Sequence, residues 1–155
     1  MSNATTAALP IKWRLEKSLW EELQARVPEL TWHAAQDNPE GSPPYGVVRC
    51  DEERETTPGS GVFYVPTAIL ISHNFDESPN PEHVLLVQRT RMALEAIPRP
   101  GIDEDNGVKI FGFTINRTVE ADVEQEMGTL FELNVGCGVA EKPDGVPSYT
   151  AQVES

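Results

Sequence analysis

Apolar residues recur along this chain in two distinct rhythms, one helical and one alternating. Leu15, Leu19, Leu23 and Val27 repeat at every fourth position, with Trp20 beside them. One stripe of that kind predicts an amphipathic helix from Ile11 to Val27, which Pro28 stops. A second helix is predicted from Asn80-Pro81-Glu82, with Asn as cap and Pro at the first helical position. It continues to about Ile97, with Leu86, Val87, Thr90, Ala93, Leu94 and Ile97 on one side and Gln88, Arg89 and Glu95 left to solvent. Pro98 and Pro100 end it.

The alternating rhythm predicts strands. Tyr45 to Asp51 and Val62 to His73 are rich in β-branched and aromatic residues, and Leu30 to Ala34 is a shorter candidate. Pro66 cannot donate a ladder hydrogen bond, which points to an edge or a bulge there. Between residues 107 and 117 the apolar positions change parity, from Val108 and Ile110 to Phe111, Phe113 and Ile115. A bulge near Gly112, or burial of both faces, explains such a change. Residues 118–126, with Glu120, Asp122, Glu124 and Glu126, read as an acidic connector.

The last strand is the most regular. From Met127 to Val139 every odd position is apolar or Thr, and most even positions are small or polar. Side chains alternate faces along a strand, so one face is buried and the other is wet or closely packed. At about 3.4 Å per residue it spans roughly 40 Å, and a strand of that length is expected to project beyond a small core and need a neighbour.

The predicted order is α-β-β-β-α-β-β. The expected fold class is α+β: a mostly antiparallel sheet, two main helices packed on one face, and a long C-terminal β-hairpin. The domain reading is a flexible N-terminal arm over 1–10, a single α+β domain over 11–140 and a C-terminal tail over 141–155. Loops are expected at 36–44 and 74–80, where Pro, Gly, Ser and Asn cluster.

Composition narrows the classes. The chain has 155 residues, of which 39% are hydrophobic, enough for one core. Its formal net charge of −13 repels nucleic acid and anionic membranes. No run approaches the ~20 apolar residues of a membrane helix, and the first residues lack the basic start and apolar stretch of a signal peptide. Cys50 and Cys137 sit inside strand patterns and read as buried thiols, in keeping with a reducing compartment.

Catalytic and metal signatures are sparse. His33, His73 and His83 are scattered outside any metal-ligand spacing, so no metal and no cofactor is expected. Asp103-Glu104-Asp105-Asn106 resembles a cation loop only loosely and reads as a solvated turn. Gly136-Cys137-Gly138 allows a nucleophile between flexible neighbours. Gly136 and Gly138 fit better, with Asn134, as an even-position face where another backbone approaches, a candidate subunit interface. Asp51, Glu52, Glu53 and Glu55 form a candidate channel or rim loop. It reads first as a solvated hairpin tip, and otherwise as a charged collar past which DNA slides without sticking.

Taken together, the opening helix Arg14 to Leu23, the segment Gly46 to Cys50 with its charged loop and the strand Phe63 to Ser72, the helix Pro81 to Ile97, and the closing strand Thr129 to Val135 have a recognisable layout. It resembles the tail terminator and tail completion (neck) proteins of long-tailed bacteriophages, over most of residues 11–140 and without a diagnostic motif. The resemblance implies a structural virion protein with no enzyme activity. It implies a hexameric ring that joins the tail tube protein to the head-side connector, with DNA passing through unbound and no membrane contact. The location would be the virion tail or neck, and the host cytoplasm during assembly. The alternatives are a head-completion or minor tail protein, or a small unrelated α+β enzyme or ligand-binding domain.

Overall fold

The computed structural model describes residues 9–34, 45–73, 81–123 and 126–140. The expected N-terminal arm, the loops at 36–44 and 74–80 and the tail after 140 fall almost wholly outside them. The elements are α1 (Ile11–Arg26), β1 (Thr31–Ala34), β2 (Tyr45–Cys50), β3 (Arg54–Glu55), β4 (Val62–His73), α2 (Pro81–Ala96), β5 (Gly101–Asp103), β6 (Val108–Val123) and β7 (Glu126–Val139). The strands form a seven-stranded sheet ordered β1-β2-β4-β7-β6-β5, with β3 pairing on β4. Only β1 and β2 pair in parallel, so the sheet is mixed but mostly antiparallel, and the fold is α+β.

Both helices pack on the same face. Leu15, Leu19 and Leu23 of α1 and Leu94 of α2 are buried, and join one cluster with Val65, Ile69 and Ile71 of β4 and Phe131, Leu133 and Val135 of β7. The odd positions of β7 from Thr129 to Cys137 therefore face the helices, as their alternation predicts. α1 ends as Val27 N–H donates to Leu23 O at 2.7 Å. Its polar positions are less expected. Arg14 and Glu16 are both 2% exposed. Arg14 donates to the carbonyls of Leu9 and Gly107, and the Glu16 carboxylate accepts the Cys50 N–H at 2.9 Å.

Pro66 lies neither at an edge nor in a bulge of its own strand. β4 is central, between β2 and β7. The strand beside it is interrupted there: β2 ends at Cys50, opposite Thr67, and β3 resumes at Arg54, opposite Tyr64. The Pro66 carbonyl accepts Asp51 N–H at 2.8 Å, and the missing donor faces the gap.

The β6–β7 hairpin differs from expectation in two ways. Residues 118–123 belong to β6 rather than to a connector, because Val119, Ala121 and Val123 alternate with the acids at strand period. And β7 does not project unsupported. β4 pairs it from Val62↔Gly138 to His73↔Met127, while β6 pairs its other side. The parity change does mark a bulge, at the register shift between Ile110 and Gly112; a second shift follows between Ile115 and Arg117. The less protected edge is β6, since β5 covers only Val108 to Ile110.

Candidate functional site

The even positions of β7 lie on the face the helices leave open. Register aligns them into rows across the sheet. Val47, Leu70, Leu130 and Val119 make an aliphatic row, each half-buried. The next row holds Arg49, Ala68, Glu132 and Arg117, with Arg117 Nε 2.7 Å from Glu132 Oε2. That bond, then the charge of Glu132, raises the Arg117 pKa. Beyond them come Pro66, Asn134 and Thr114, then Tyr64, Gly136 and Gly112.

The last rows form a trough of about 590 Å³, lined by Tyr64, Phe111, Gly112, Thr114, Asn134 and Gly136 among others. Tyr64 is 49% exposed and Phe111 42%. Gly138 makes room for Phe111, whereas Gly136 lies at ordinary contact distance from Tyr64. A Cβ on Gly138 would lie 2.9 Å from the Gly61 carbonyl oxygen and 3.2 Å from the Phe111 ring; one on Gly136 would lie 3.6 Å from the Tyr64 ring. Asn134, Gly136 and Gly138 thus share one face, but what closes over the two glycines is this chain's own aromatic side chains and the Gly61 carbonyl. Tyr64, Phe111, Arg54 and Lys109 went unnoticed in the sequence because their convergence depends on cross-strand register. Arg54 pairs with Tyr64 in β3–β4, and Lys109 Nζ sits 5.3 Å from the Phe111 ring centre.

The acidic loop divides into separate roles. Glu52 and Asp51 are exposed and pair with Lys12 and Arg49, at 2.6 and 3.3 Å. The Glu52 hydrogen bond is the main cause that raises the Lys12 pKa. Glu55 is structural: its carboxylate accepts the N–H groups of Gly59 and Gly61, both at 3.0 Å, and shapes the turn. Glu53 is half-buried, and its Oε2 has no hydrogen-bond partner. The four acids are therefore not one uniform collar.

A second concavity, of about 600 Å³, lies on the helix side between α1 and β5. Its floor includes Leu19, Ile97, Val108 and Ile110, and its rim Glu21, Glu22, Asp103, Glu104 and Asp105. Asp103 is engaged within its own turn, accepting Asn106 N–H at 3.2 Å and Asn106 Nδ2 at 2.7 Å. Gly107 closes that turn at φ 68°.

The residues weighed for catalysis are dispersed. His33 lies on the open face, edge-on to Tyr45 with ring centres 6.1 Å apart. His83 is buried on the helix side, its Nε2 2.7 Å from Thr129 Oγ1. Among the described residues no group of His, Cys, Asp or Glu is arranged to hold a metal, and no helix is long and apolar enough to cross a membrane. Cys50 and Cys137 are buried and unbridged. Burial is the main cause that lifts both thiols from the usual 9.0 to about 12. Neither is an activated nucleophile.

A thiol reagent should therefore label neither cysteine in the folded protein at pH 8 and both in denaturant; fast native labelling would contradict the burial. A thiol whose folded pKa is raised favours the folded state while protonated. That contribution is complete below about pH 9 and declines as pH rises toward about 12. Denaturation midpoints measured across that window should fall, and less steeply in a Cys50→Ala, Cys137→Ala double variant.

No protein-family profile matches this chain, and neither does any curated protein. Among solved structures 17 chains match. One, whose name states no function, superposes with a TM-score of 0.50 at 14% identity, over 86% of this chain and 95% of that one. At that identity the likeness concerns the fold alone.

Proposed function

We propose that this chain is a structural virion protein: a subunit of the tail terminator or neck of a long-tailed bacteriophage. Its copies form a ring that joins the tail tube to the head-side connector. The observation that carries the reading is the open face of the sheet. Helices cover one side of a large sheet, while the other presents an aliphatic row and an aromatic trough across β2, β4, β7 and β6. Tyr64 and Phe111 stay exposed there beside the half-buried row; neighbouring exposed aromatic side chains are what an interaction surface presents, and closed rings remove free sheet edges such as that of β6.

The test is the mass and shape of the purified protein. Size-exclusion chromatography with light scattering should give about six times the 17.1 kDa chain mass. Negative-stain microscopy should show rings, and added protein should cap open tail tubes. A monomer at every concentration that binds a small molecule would instead favour the ligand-binding alternative.

The channel role of the loop carries its own expectation. The native protein should show no measurable affinity for duplex DNA at physiological salt. A variant with Lys at 51 and 52, the two exposed acids that do not shape the turn, should gain salt-sensitive binding, since each phosphate neutralised releases counterions. In an assembled particle it should slow genome ejection. Normal infectivity of that variant would place the loop away from the channel.

A further inference from the structure

We infer that the ring's subunit contact is head-to-tail, with the open sheet face of one copy seated on the α1–β5 rim of the next. The inference rests on the ring reading and adds which two surfaces meet. It starts from the way charge is divided over the molecule. The chain carries −13 overall, yet among the described side chains the rows of the open face hold Arg49, Arg54, Lys109 and Arg117 against Glu132, with Asp51 at the margin. Two of these cations are matched within the chain, Arg117 by Glu132 and Arg49 by Asp51. Arg54 and Lys109 have no carboxylate within ion-pair distance among the described residues, and they flank the exposed Tyr64 and Phe111.

The α1–β5 concavity has the opposite character. Its lining presents the exposed Ile102 beside the buried Leu19, Ile97, Val108 and Ile110, and its rim bears Glu21, Glu22, Asp103, Glu104 and Asp105 against Arg26. Arg26 is itself held by Glu22, and Lys17 reaches Glu21 at 4.0 Å, which leaves the rim acidic in balance. Aromatic side chains that meet the exposed Ile102, with opposite charges around them, have the anatomy of a protein interface: an apolar centre and a polar rim.

Electrostatics also decides between the possible symmetries. Two open faces docked on each other would set two surfaces with unmatched cations, Arg54 and Lys109, against each other. Two rims docked on each other would oppose two surfaces on which carboxylates outnumber cations. Like charges set face to face in an interface are strongly unfavourable. Face against rim is the pairing that matches signs. It is heterologous, and heterologous contacts close into rings when the rotation permits.

The experiment is a charge swap between the two surfaces. One variant carries Arg54→Glu and Lys109→Glu, the other Glu21→Lys and Glu104→Lys. Glu21, Arg54 and Glu104 are exposed and Lys109 is half-buried, none of them in the core, and circular dichroism with a thermal melt checks that each variant is folded. Each alone should need at least a tenfold higher concentration to assemble than the native chain. Mixed in equal amounts they should assemble again, because every face then meets a rim of opposite sign, in rings that alternate the two variants. Native mass spectrometry with one variant isotope-labelled reads that alternation. If either variant alone assembles like the native chain, or if mixing restores nothing, this pairing is wrong while the ring stands. If the native chain itself never assembles, the ring reading fails and this one fails with it. A variant that does not fold is replaced by its neutral form, Arg54→Gln with Lys109→Gln or Glu21→Gln with Glu104→Gln, which should weaken assembly by a smaller factor; unchanged assembly would overturn the pairing.

Discussion

Phe131→Ala should destabilise the protein by about 3–5 kcal/mol, in line with other large-to-small changes of buried aromatic residues. Phe131 is fully buried at the centre of β7, between Ile69 of β4 and Thr118 of β6. Its ring belongs to the cluster shared by both helices, so the cavity opens where α1, α2 and the sheet meet. The strands on either side are hydrogen-bonded along their length and cannot close onto it. Such a loss is a large share of the 5–15 kcal/mol that typical domains possess. Urea unfolding of native and variant protein measures it. Leu94→Ala, at the α2 side of the same cluster, should lose about 2–5 kcal/mol. A change under about 1 kcal/mol at both positions would mean that the buried face has been assigned wrongly.

Gly46→Ala should also be costly, by about 1–3 kcal/mol, for the opposite reason: too little space. A Cβ on Gly46 would clash with the six-membered ring of Trp32. That ring has little freedom to retreat. Trp32 is 2% exposed, its Nε1 donates to Val27 O at 3.0 Å, and its backbone N–H donates to Gln24 Oε1. Moving the indole would break the link between the end of α1 and β1. Because the two positions pair across β1 and β2, their effects should be strongly non-additive. Gly46→Ala in a Trp32→Leu background should cost much less than in the native chain. A full, additive penalty there would show that the glycine is needed for its backbone and not for the ring beside it. Tryptophan fluorescence offers a second reading, since displacement of Trp32 toward solvent shifts its emission to the red.

Much of the fold was legible because it depends on local period. The spacing of Leu15, Leu19 and Leu23 places one face of α1 on the core whatever it packs against, and Pro28 ends that helix without tertiary help. The alternation from Thr129 to Cys137 selects the buried side of β7 in the same way, since a one-residue slip would expose all of it. The parity change near Gly112 located a bulge for the same reason. Acidic side chains hid the second half of β6: Glu120, Asp122 and Val119 alternate as a strand does, but a run of carboxylates reads as a loop until the strand beside it is known.

What only the tertiary structure decided concerns pairs of residues far apart in the chain. Arg14 and Glu16 are polar residue types on a helix and belong to solvent by pattern. They are buried because Gly107 and Cys50, many residues away, present backbone groups that need partners. Glu55 is one acid among several in its loop, and it becomes a turn organiser only once Gly59 and Gly61 fold back toward it. The trough follows the same logic. Gly136 and Gly138 announce a close approach, but which groups approach is set by β4 and β6 lying in register on either side of β7. Local period determines which face of an element is apolar; cross-strand register and charge placement determine what that face meets, because both depend on distances that no single segment contains.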